Sequence, residues 1–530
     1  MIRIPIDIHG TNGMIGGNTS HEERALMEIK EFYDYCKEIA SYSSAAALVE
    51  WDMRTKMPPK AAADRSEVAG KLGRTAFEMS TSPRMAAFVE YFNRPAVNKQ
   101  LSDVDRRNVE LETKQYRKVS SIPADRYEKF TVACSKGEYA WQEARAKSDF
   151  GMFLPYLEEI ISYQKEFVEY CGYEANKYDV LLDDFEPSVT TEDLKVIIDG
   201  LKSELVPFIR QLREQGKRPD TSCLTGTFDK AAQEQMSVDI LKAMTYDFDG
   251  GRIDETAHPF TTGIGFGDVR VTTHYYENNI ASALFSTMHE GGHALYEQGV
   301  SEKYHWMPLH RGASMGIHES QSRTWENLVG RSEAFWKFYY PRLQGRFAQF
   351  RDVPVEEFYK AINAAEPSLI RIEADEVTYN LHIMLRFEIE EALINGRVQV
   401  ADLPELWNAK VKEYLGVDVP DDAHGVLQDV HWAGGLFGYF PSYMLGNLYA
   451  AQFFATARQE IPDLEEQIAA GNLGVLREWQ RSRIHQYGAL YDPKDLVVRV
   501  TGKPLDYHYF MREVKEKYSK IYGIAPSSEL

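Results

Sequence analysis

The chain has 530 residues, of which 44% are apolar, and its formal net charge at pH 7 is −20. This length allows a large buried core, whereas the acidic balance argues against binding nucleic acid, which needs a basic surface. No apolar run approaches the roughly 18 residues needed to cross a membrane, and the four cysteines form no CxxC pair. We therefore expect a cytoplasmic protein without nucleic-acid or membrane partners.

In chain order, residues 1–19 are predicted to be an N-terminal tail and residues 20–530 a single domain. Apolar residues first recur at helical spacing at Leu26, Ile29 and Phe32. The same pattern continues over residues 105–145, 155–175, 191–214, 355–400 and 505–522. The sequence therefore predicts a mainly α fold, with turn signals such as MPPK at 57–60 between the helices.

One stretch has the alternation of a strand instead. In FGDVRVTTHYYE, residues 266–277, apolar and polar side chains alternate, and the overlapping GIGFGD is typical of a hairpin turn. The motif HEGGH follows at 289–293. We therefore expect a small β-sheet beside the helix that carries this motif.

The motif HEGGH predicts half of a metal centre. His289 and His293 are four residues apart, so on a helix they lie on the same face, one turn apart. Zinc in hydrolytic sites takes two imidazoles, one carboxylate and a water, whose pKa the ion lowers to about 7. Glu290 is placed to take the proton from that water, so we predict that it is the general base.

The third ligand is predicted to be a carboxylate further along the chain. A metzincin histidine is excluded, because Tyr296 stands where that motif requires glycine. The candidates are Glu297, Glu302, Glu319 and Glu326. Glu297 reaches away from the ion and Glu302 lies in the exit turn, whereas Glu319 begins a new helical segment that a helix hairpin would return to the first. We therefore choose Glu319, with Glu326 on the same face as a supporting residue.

The two glycines between the histidines also need a reason. Glycine in a helix interior costs roughly 1 kcal/mol relative to alanine. Without a Cβ at Gly291 and Gly292, another backbone can approach: the helix that bears Glu319, or the segment around His431. We predict such a close approach.

Several separated stretches resemble the M32 family of metallocarboxypeptidases, of the carboxypeptidase Taq type. Six motifs match in order: HPF at 258–260, DVRVT at 268–272, HEGGH at 289–293, HES at 318–320, IRIEAD at 370–375 and GVLQDVHW at 425–432. WDMRTKMPP at 51–59 and TGKPL at 501–505 are also similar to the family. The resemblance covers about residues 20–525.

The resemblance implies one large helical HExxH-peptidase domain with a deep groove between two lobes. An N-terminal lobe of about residues 20–120 would cover the groove, and the metal site would lie within 255–440. It implies Zn²⁺ held by His289, His293 and Glu319, in agreement with the choice made from the residues, and a homodimer. Cobalt suits the same ligands, so we expect that Co²⁺ can replace zinc.

A carboxypeptidase must also bind the C-terminal carboxylate of its substrate, which arginine does best through its two-pronged guanidinium. The candidates are Arg371, in IRIEAD, and Arg270, in DVRVT, and the family motif favours Arg371. The alternative for Arg371 is a structural salt bridge with an acidic residue that follows it, Glu373, Asp375 or Glu376. Arg270, on the strand next to the metal helix, is expected to order the site together with Asp268, with direct substrate contact as its alternative role.

By analogy with related HExxH peptidases, His431 and Tyr439 are predicted to bind the substrate and its developing oxyanion. The alternative for Tyr439 is a core aromatic residue, since the chain has 31 tyrosines. Gln428 and Asp429 are predicted to position His431 or the peptide.

The predicted function is a zinc carboxypeptidase of broad specificity, with proline disfavoured, acting on peptides with a free C-terminus. One alternative is a helical HExxH oligopeptidase or dipeptidase. A more remote alternative is an inactive peptidase-like binding scaffold, which the presence of all three ligands and Glu290 argues against.

Overall fold

The computed structural model describes the backbone of residues 21–525 and the side chains of residues 29–525. The tail predicted over residues 1–19 lies outside the described residues. Within them the fold is mainly helical, as predicted, with one small sheet. None of the described helices is long and apolar enough to cross a membrane.

Helices make up most of the described chain, and the three strands follow one another near its middle. The N-terminal half contains α1 (His21–Thr55), α2 (Ala62–Ser80), α3 (Pro83–Phe92), α4 (Pro95–Asn98), α5 (Asp103–Ser121), α6 (Ala124–Lys147), α7 (Phe150–Cys171), α8 (Asp179–Leu182), α9 (Thr191–Gln215), α10 (Lys230–Ala243), β1 (Gly251–Glu255), β2 (Thr261–Gly265) and β3 (Asp268–Thr273). The C-terminal half contains α11 (Ile280–Gly299), α12 (Met315–Arg323), α13 (Glu333–Arg346), α14 (Val355–Ile362), α15 (Tyr379–Ile394), α16 (Leu403–Leu415), α17 (Phe440–Glu460), α18 (Leu464–Ala469), α19 (Gly474–Arg483), α20 (Pro493–Thr501) and α21 (His508–Tyr522).

Two of the predicted helical stretches are each divided into two helices. Residues 105–145 form α5 and α6, which are separated at Ile122–Pro123, and residues 355–400 form α14 and α15. Proline disfavours the helical conformation of the residue before it, which explains both breaks, because Pro123 and Pro367 lie in the connecting segments. The second break leaves the IRIEAD motif in the connecting segment, where Arg371–Glu373 form a short 3-10 helix instead of part of an α-helix.

The three-stranded sheet has the order β1-β3-β2. The predicted strand is β3, and the predicted hairpin joins it to β2, antiparallel, through Phe266 and Gly267. Gly267 has a φ of 77°, which favours glycine. The strand β1, which pairs parallel with β3, was not predicted, because GRIDE is short and polar. The buried faces of β2 and β3 pack against α11.

The metal-binding motif lies on α11, and α12 is packed between α11 and α17. A Cβ on Gly292 of α11 would lie 2.6 Å from the carbonyl oxygen of Gln321 and 2.6 Å from the Cα of Ser322, both in α12. On the other side, a Cβ on Gly446 of α17 would lie 2.3 Å from the Cγ of Glu319. The predicted close approach of another backbone is therefore confirmed for Gly292, and its partner is the helix that bears Glu319.

The described residues form two hydrophobic cores. The larger one includes α11, α12, α15 and α17. The smaller one joins α1, α3 and α5 through side chains that include Phe32, Met85, Phe92 and Val109. The lobe boundaries at about 20–120 and the single-domain assignment of residues 20–530 stay predictions.

Substituting Gly292 by alanine is expected to lower the free energy of unfolding by about 1–3 kcal/mol, because the new Cβ meets backbone atoms that cannot move alone. The larger Gly292→Leu is expected to prevent folding or metal binding. Urea denaturation and the bound metal content measure these effects.

Gly291→Ala is the matched control. Its Cβ would meet the ends of two flexible side chains, Met244 Cε at 2.7 Å and Leu241 Cδ2 at 2.8 Å, which can rotate away. The gain in helix propensity, roughly 1 kcal/mol, offsets part of that cost. Equal stability losses in the two alanine variants would contradict the close-approach explanation.

Candidate metal centre

Three side chains converge on one point at the wall of a groove. His289 and His293 extend from successive turns of α11, and Glu319 extends from the middle of α12. The Nε2 atoms of His289 and His293 lie 3.5 Å and 3.3 Å from the Oε2 of Glu319. Among the described residues, this is the group of histidine, cysteine and acidic side chains that could hold a metal ion.

These distances fit a metal ion. Ligand atoms bound at about 2.0–2.2 Å in a tetrahedral arrangement lie roughly 3.3–3.6 Å from one another. The observed separations of 3.5 Å and 3.3 Å fall within this range. Two imidazoles and a carboxylate also leave one tetrahedral position for water or substrate.

The second nitrogen of each histidine is held by another residue. His289 Nδ1 lies 2.8 Å from the Oε2 of Glu326, and His293 Nδ1 lies 2.6 Å from the Nδ1 of His318. The Nε2 of His318 is in turn 2.7 Å from the Oε1 of Glu297. Such partners fix the orientation of ligand histidines, so the predicted supporting role of Glu326 agrees with its position.

Glu326 reaches His289 because the helix widens after α12. Residues Thr324–Val329 form a π-helical turn, a feature that is frequent at functional sites. Arg323, the last residue of α12, donates from Nε to the Oε1 of Glu319 at 2.7 Å and from Nη1 to the Oε2 of Glu326 at 3.1 Å. One arginine therefore pairs with both carboxylates.

The charges of the three side chains are set by burial and by one another. Burial lowers the pKa of His293 to about 4, so its imidazole is neutral. Burial also acts to lower the pKa of His289, but Glu319 and Glu326 outweigh it and raise this pKa to about 9. Burial acts to raise the pKa of Glu319, but Arg323 and His289 hold it well below its ordinary value. A metal ion bound here would displace the proton of His289.

The three side chains face a cavity of about 700 Å³. One wall comes from α5 and includes Arg107, Lys114 and Lys118, and the opposite wall includes Tyr439 and Tyr443. The predicted groove is thus present, with the metal centre at its wall.

Comparison with known proteins identifies the family. The family model described as "Carboxypeptidase Taq (M32) metallopeptidase" matches residues 31–518. The chain belongs to the M32 family. It is a metallocarboxypeptidase, and the metallopeptidase family implies a divalent metal at this centre.

Similar M32 proteins match over nearly their whole length. "Carboxypeptidase 1" of Bacillus subtilis is 44% identical over 494 residues, which cover 93% of this chain and 98% of the relative. "Thermostable carboxypeptidase 1" of Thermus thermophilus is 43% identical over 512 residues, covering 94% and 99%. The solved M32 carboxypeptidase of Deinococcus radiodurans has a TM-score of 0.91 at 35% identity, covering 94% of this chain and 100% of that one.

Glu290, the predicted general base of the M32 carboxypeptidase, lines the cavity beside the two histidines. Its side chain is only 7% exposed, and its Oε2 lies 2.7 Å from the hydroxyl of Thr261 on β2. Burial raises the pKa of Glu290, although His289 and Thr261 oppose this shift. A raised pKa makes the carboxylate a better proton acceptor at neutral pH.

Tyr439 and Tyr443 line the cavity. His431 does not line it, but contacts Tyr443 from behind. The Nε2 of His431 lies 3.3 Å from the Tyr443 hydroxyl. Burial raises the pKa of Tyr439 to about 12 and lowers the pKa of His431 to about 4. Tyr439 therefore keeps its hydroxyl proton and can donate it in a hydrogen bond.

Arg371 lies behind this wall and does not line the cavity. It is 5% exposed; its Nε and Nη2 donate to the Oδ1 of Asp429 at 3.0 Å and 2.8 Å, and its Nη1 donates to the Tyr379 hydroxyl at 2.9 Å. The salt bridge was expected with a residue that closely follows Arg371, but the partner is Asp429. Asp375 instead binds the backbone at the start of α15, and Glu376 pairs with Lys517.

Asp429 and Gln428 are likewise engaged inside the protein. Asp429 accepts hydrogen bonds from both Arg371 and Arg386, and Gln428 accepts from the Arg371 backbone and from Arg386. Neither lines the cavity. Direct substrate contact by Gln428, Asp429 or Arg371 stays a prediction.

Arg270, on β3, does not line the cavity of the metal centre. Its guanidinium forms two hydrogen bonds with Asp268, of 2.7 Å and 2.8 Å, and lies 4.4 Å from the ring centre of Trp51. This geometry fits the expectation that Arg270 orders the site together with Asp268. It also ties the WDMRTKMPP segment of α1 to the sheet.

Several residues of the site were not singled out from the sequence. Arg323 is four residues after Glu319 and Tyr443 is four after Tyr439, so helical spacing contained a signal for both. His318 precedes Glu319 directly in the HES motif. Thr261 had no such signal, because its contact with Glu290 depends on how β2 packs against α11.

Replacing Glu326 by glutamine is expected to weaken metal affinity by roughly 10- to 100-fold, because the neutral amide holds His289 less firmly and leaves Arg323 less well paired. Competition with a metal chelator measures the affinity. Glu333→Gln removes an exposed carboxylate that pairs with Lys520 and is the control. Unchanged affinity in Glu326→Gln would show that this contact does not support the centre.

Proposed function

We propose that the chain is a zinc-dependent carboxypeptidase that releases single residues from the C-termini of peptides. The observation that carries this proposal is the convergence of His289, His293 and Glu319 at the spacing of a tetrahedral ion, inside the cavity of an M32 metallocarboxypeptidase. Two imidazoles and one carboxylate favour zinc, and Co²⁺ suits the same set. When bound, the ion lowers the pKa of water and polarises the scissile carbonyl.

Glu290 is the general base in this proposal. It is buried beside the ligands and held by Thr261, so its carboxylate is fixed in direction. The pKa of Glu290 is raised toward neutral pH. Such a pKa suits a group that takes a proton from water and then delivers it to the leaving amine.

Tyr439 supplies the hydrogen bond to the developing oxyanion. It faces the cavity and stays protonated, and its ring packs against Phe185, with the ring centres 5.0 Å apart. A donor held in place before the reaction stabilises the transition state more than a mobile one. His431 positions this wall through Tyr443, whose hydroxyl lies 3.3 Å from it.

The C-terminal carboxylate of the substrate is proposed to bind on the same wall, at Tyr443. The Arg371 guanidinium lies 5.0 Å behind the centre of the Tyr443 ring. Arg371 and Arg386 share the single carboxylate of Asp429, so this buried cluster carries a net positive charge. This positive cluster favours an anion on the cavity side of Tyr443. Gln428 accepts a hydrogen bond from each of the two arginines and so holds them in place.

Broad side-chain specificity with proline disfavoured, a homodimer and a cytoplasmic location are carried from the family resemblance and stay predictions. An internal-cutting oligopeptidase or a dipeptidase remains the alternative function. An inactive scaffold is opposed by the complete ligand set and by Glu290.

Blocking the C-terminal carboxylate of a peptide as an amide is expected to reduce its cleavage by at least roughly 10-fold, because the anion that the positive cluster favours is lost. Mass spectrometry of matched free and amidated peptides measures both the rate and the bond that is cut. Equal rates, or release of dipeptides from the free peptide, would support the alternative.

Changing Glu290 to glutamine is expected to leave the metal content intact and to lower kcat by about 10²- to 10⁴-fold, because the proton acceptor is removed while the ligands remain. Glu277→Gln, at an exposed position near the same end of the sheet, is the matched control. Full activity in the Glu290 variant would rule out its role as the base.

A further inference from the structure

A second cavity, of about 600 Å³, continues from the metal-binding one. It lies between α1 and the hairpin of β2 and β3, with Ser43 and Ser44 on one side and Phe266 on the other. Residues that line both cavities mark the passage between them: Leu111, Gln115, Gly263, Glu297 and Arg311. The groove is therefore longer than the metal centre alone requires.

Arg311 differs from the other cations of these two cavities. Arg107 pairs with Glu110 and Asp492, Lys114 with Asp183, and Lys118 with Asp184. Within residues 29–525, no carboxylate oxygen lies within 4.0 Å of the Arg311 guanidinium. It is thus the one arginine or lysine in the described walls of the groove without an ion-pair partner.

Glu112 of α5, which also lines the second cavity, acts electrostatically to raise the pKa of Arg311. Burial raises the pKa of Glu112, although Arg311 opposes this shift. Arg311 is exposed to the groove; its surroundings lower its pKa, but arginine remains charged at neutral pH. A positive charge that faces the groove without a close carboxylate favours an anionic ligand.

The loop that carries Arg311 is held at both sides. The backbone N–H of Leu309 donates to the Oδ1 of Asn108 at 3.0 Å, and that of Ala313 donates to the Tyr296 hydroxyl at 3.0 Å. Gly312 is packed against His318, which contacts the ligand His293. Arg311 is therefore presented at a defined place next to the metal centre, as a recognition residue must be.

The direction of the peptide follows from the reaction. A carboxypeptidase has a single residue on the leaving side of the scissile bond, and the positive cluster that favours the terminal carboxylate lies behind Tyr443, in the first cavity. Neither Tyr439 nor Tyr443 lines the second cavity. The second cavity therefore receives the part of the peptide that precedes the scissile bond, and Arg311 stands at its entrance.

We propose that Arg311 is a specificity-determining residue that binds an acidic side chain of the substrate, upstream of the scissile bond. The guanidinium can form two parallel hydrogen bonds with an aspartate or glutamate carboxylate. This inference rests on the proposed function, because it takes the direction of the peptide from it.

Acetylated alanine-based peptides with Glu, Gln or Lys at one upstream position test the proposal. The wild-type enzyme is expected to prefer Glu over Gln by roughly 10-fold in kcat/KM at the position that meets Arg311. Arg311→Gln is expected to reduce this ratio to about 1, chiefly by lowering kcat/KM for the Glu peptide, and Arg311→Lys to keep part of it.

Lys114→Gln is the matched control, since it removes a positive charge from the same groove but one that Asp183 already pairs. It is expected to leave the ratio unchanged. In the unmodified enzyme, the preference is also expected to fall as ionic strength rises, which tests the proposal even if a variant folds poorly.

Three results would overturn the proposal: a wild-type ratio near 1 at every upstream position, an Arg311→Gln variant that keeps the ratio, or one that loses activity equally on all three peptides. The last result would indicate that Arg311 binds the terminal carboxylate or supports the loop. Failure of the proposed function would appear separately, as cleavage of amidated peptides or as an active Glu290→Gln variant.

Discussion

The close packing of α12 between α11 and α17 is the constraint on which the metal centre depends. Gly292 lets the backbone of α12 approach α11, and Gly446 lets the side chain of Glu319 lie directly against α17. Because atoms touch on both sides, Glu319 cannot move away from the two histidines without moving a whole helix. The two glycines each destabilise the helix that contains them, but they permit the close packing that keeps the candidate ligands rigid.

The charges of the centre depend on this packing in turn. Glu319, Glu326 and Glu290 are brought together in a buried region, where uncompensated carboxylates would be costly. Arg323 pairs with two of them, and the proton on His289 supplies further positive charge. A divalent ion in place of this proton would complete the balance and would couple folding of the centre to metal binding.

The sequence was most informative where the chemistry is local. The pair His289 and His293 follows from helical spacing, and the choice of Glu319 needed only a helix hairpin. The partners of Arg371 and Arg270 could not be obtained in this way. Asp429 is 58 positions after Arg371, and Trp51 is far from Arg270 in the chain, so both contacts are set by tertiary packing. Arg371 moreover lies in a short 3-10 helix between α14 and α15, where helical periodicity suggested a continuous α-helix.

The distribution of charge along the groove would let the proposed broad specificity coexist with the one selective contact proposed for Arg311. Most charged side chains in its walls are already paired, as Lys114 with Asp183 and Lys118 with Asp184, so they offer little to a substrate side chain. Net positive charge is left at two places, the cluster around Asp429 and the guanidinium of Arg311. Discrimination between peptides therefore concentrates where charge is uncompensated, at the terminal carboxylate and at an upstream anion.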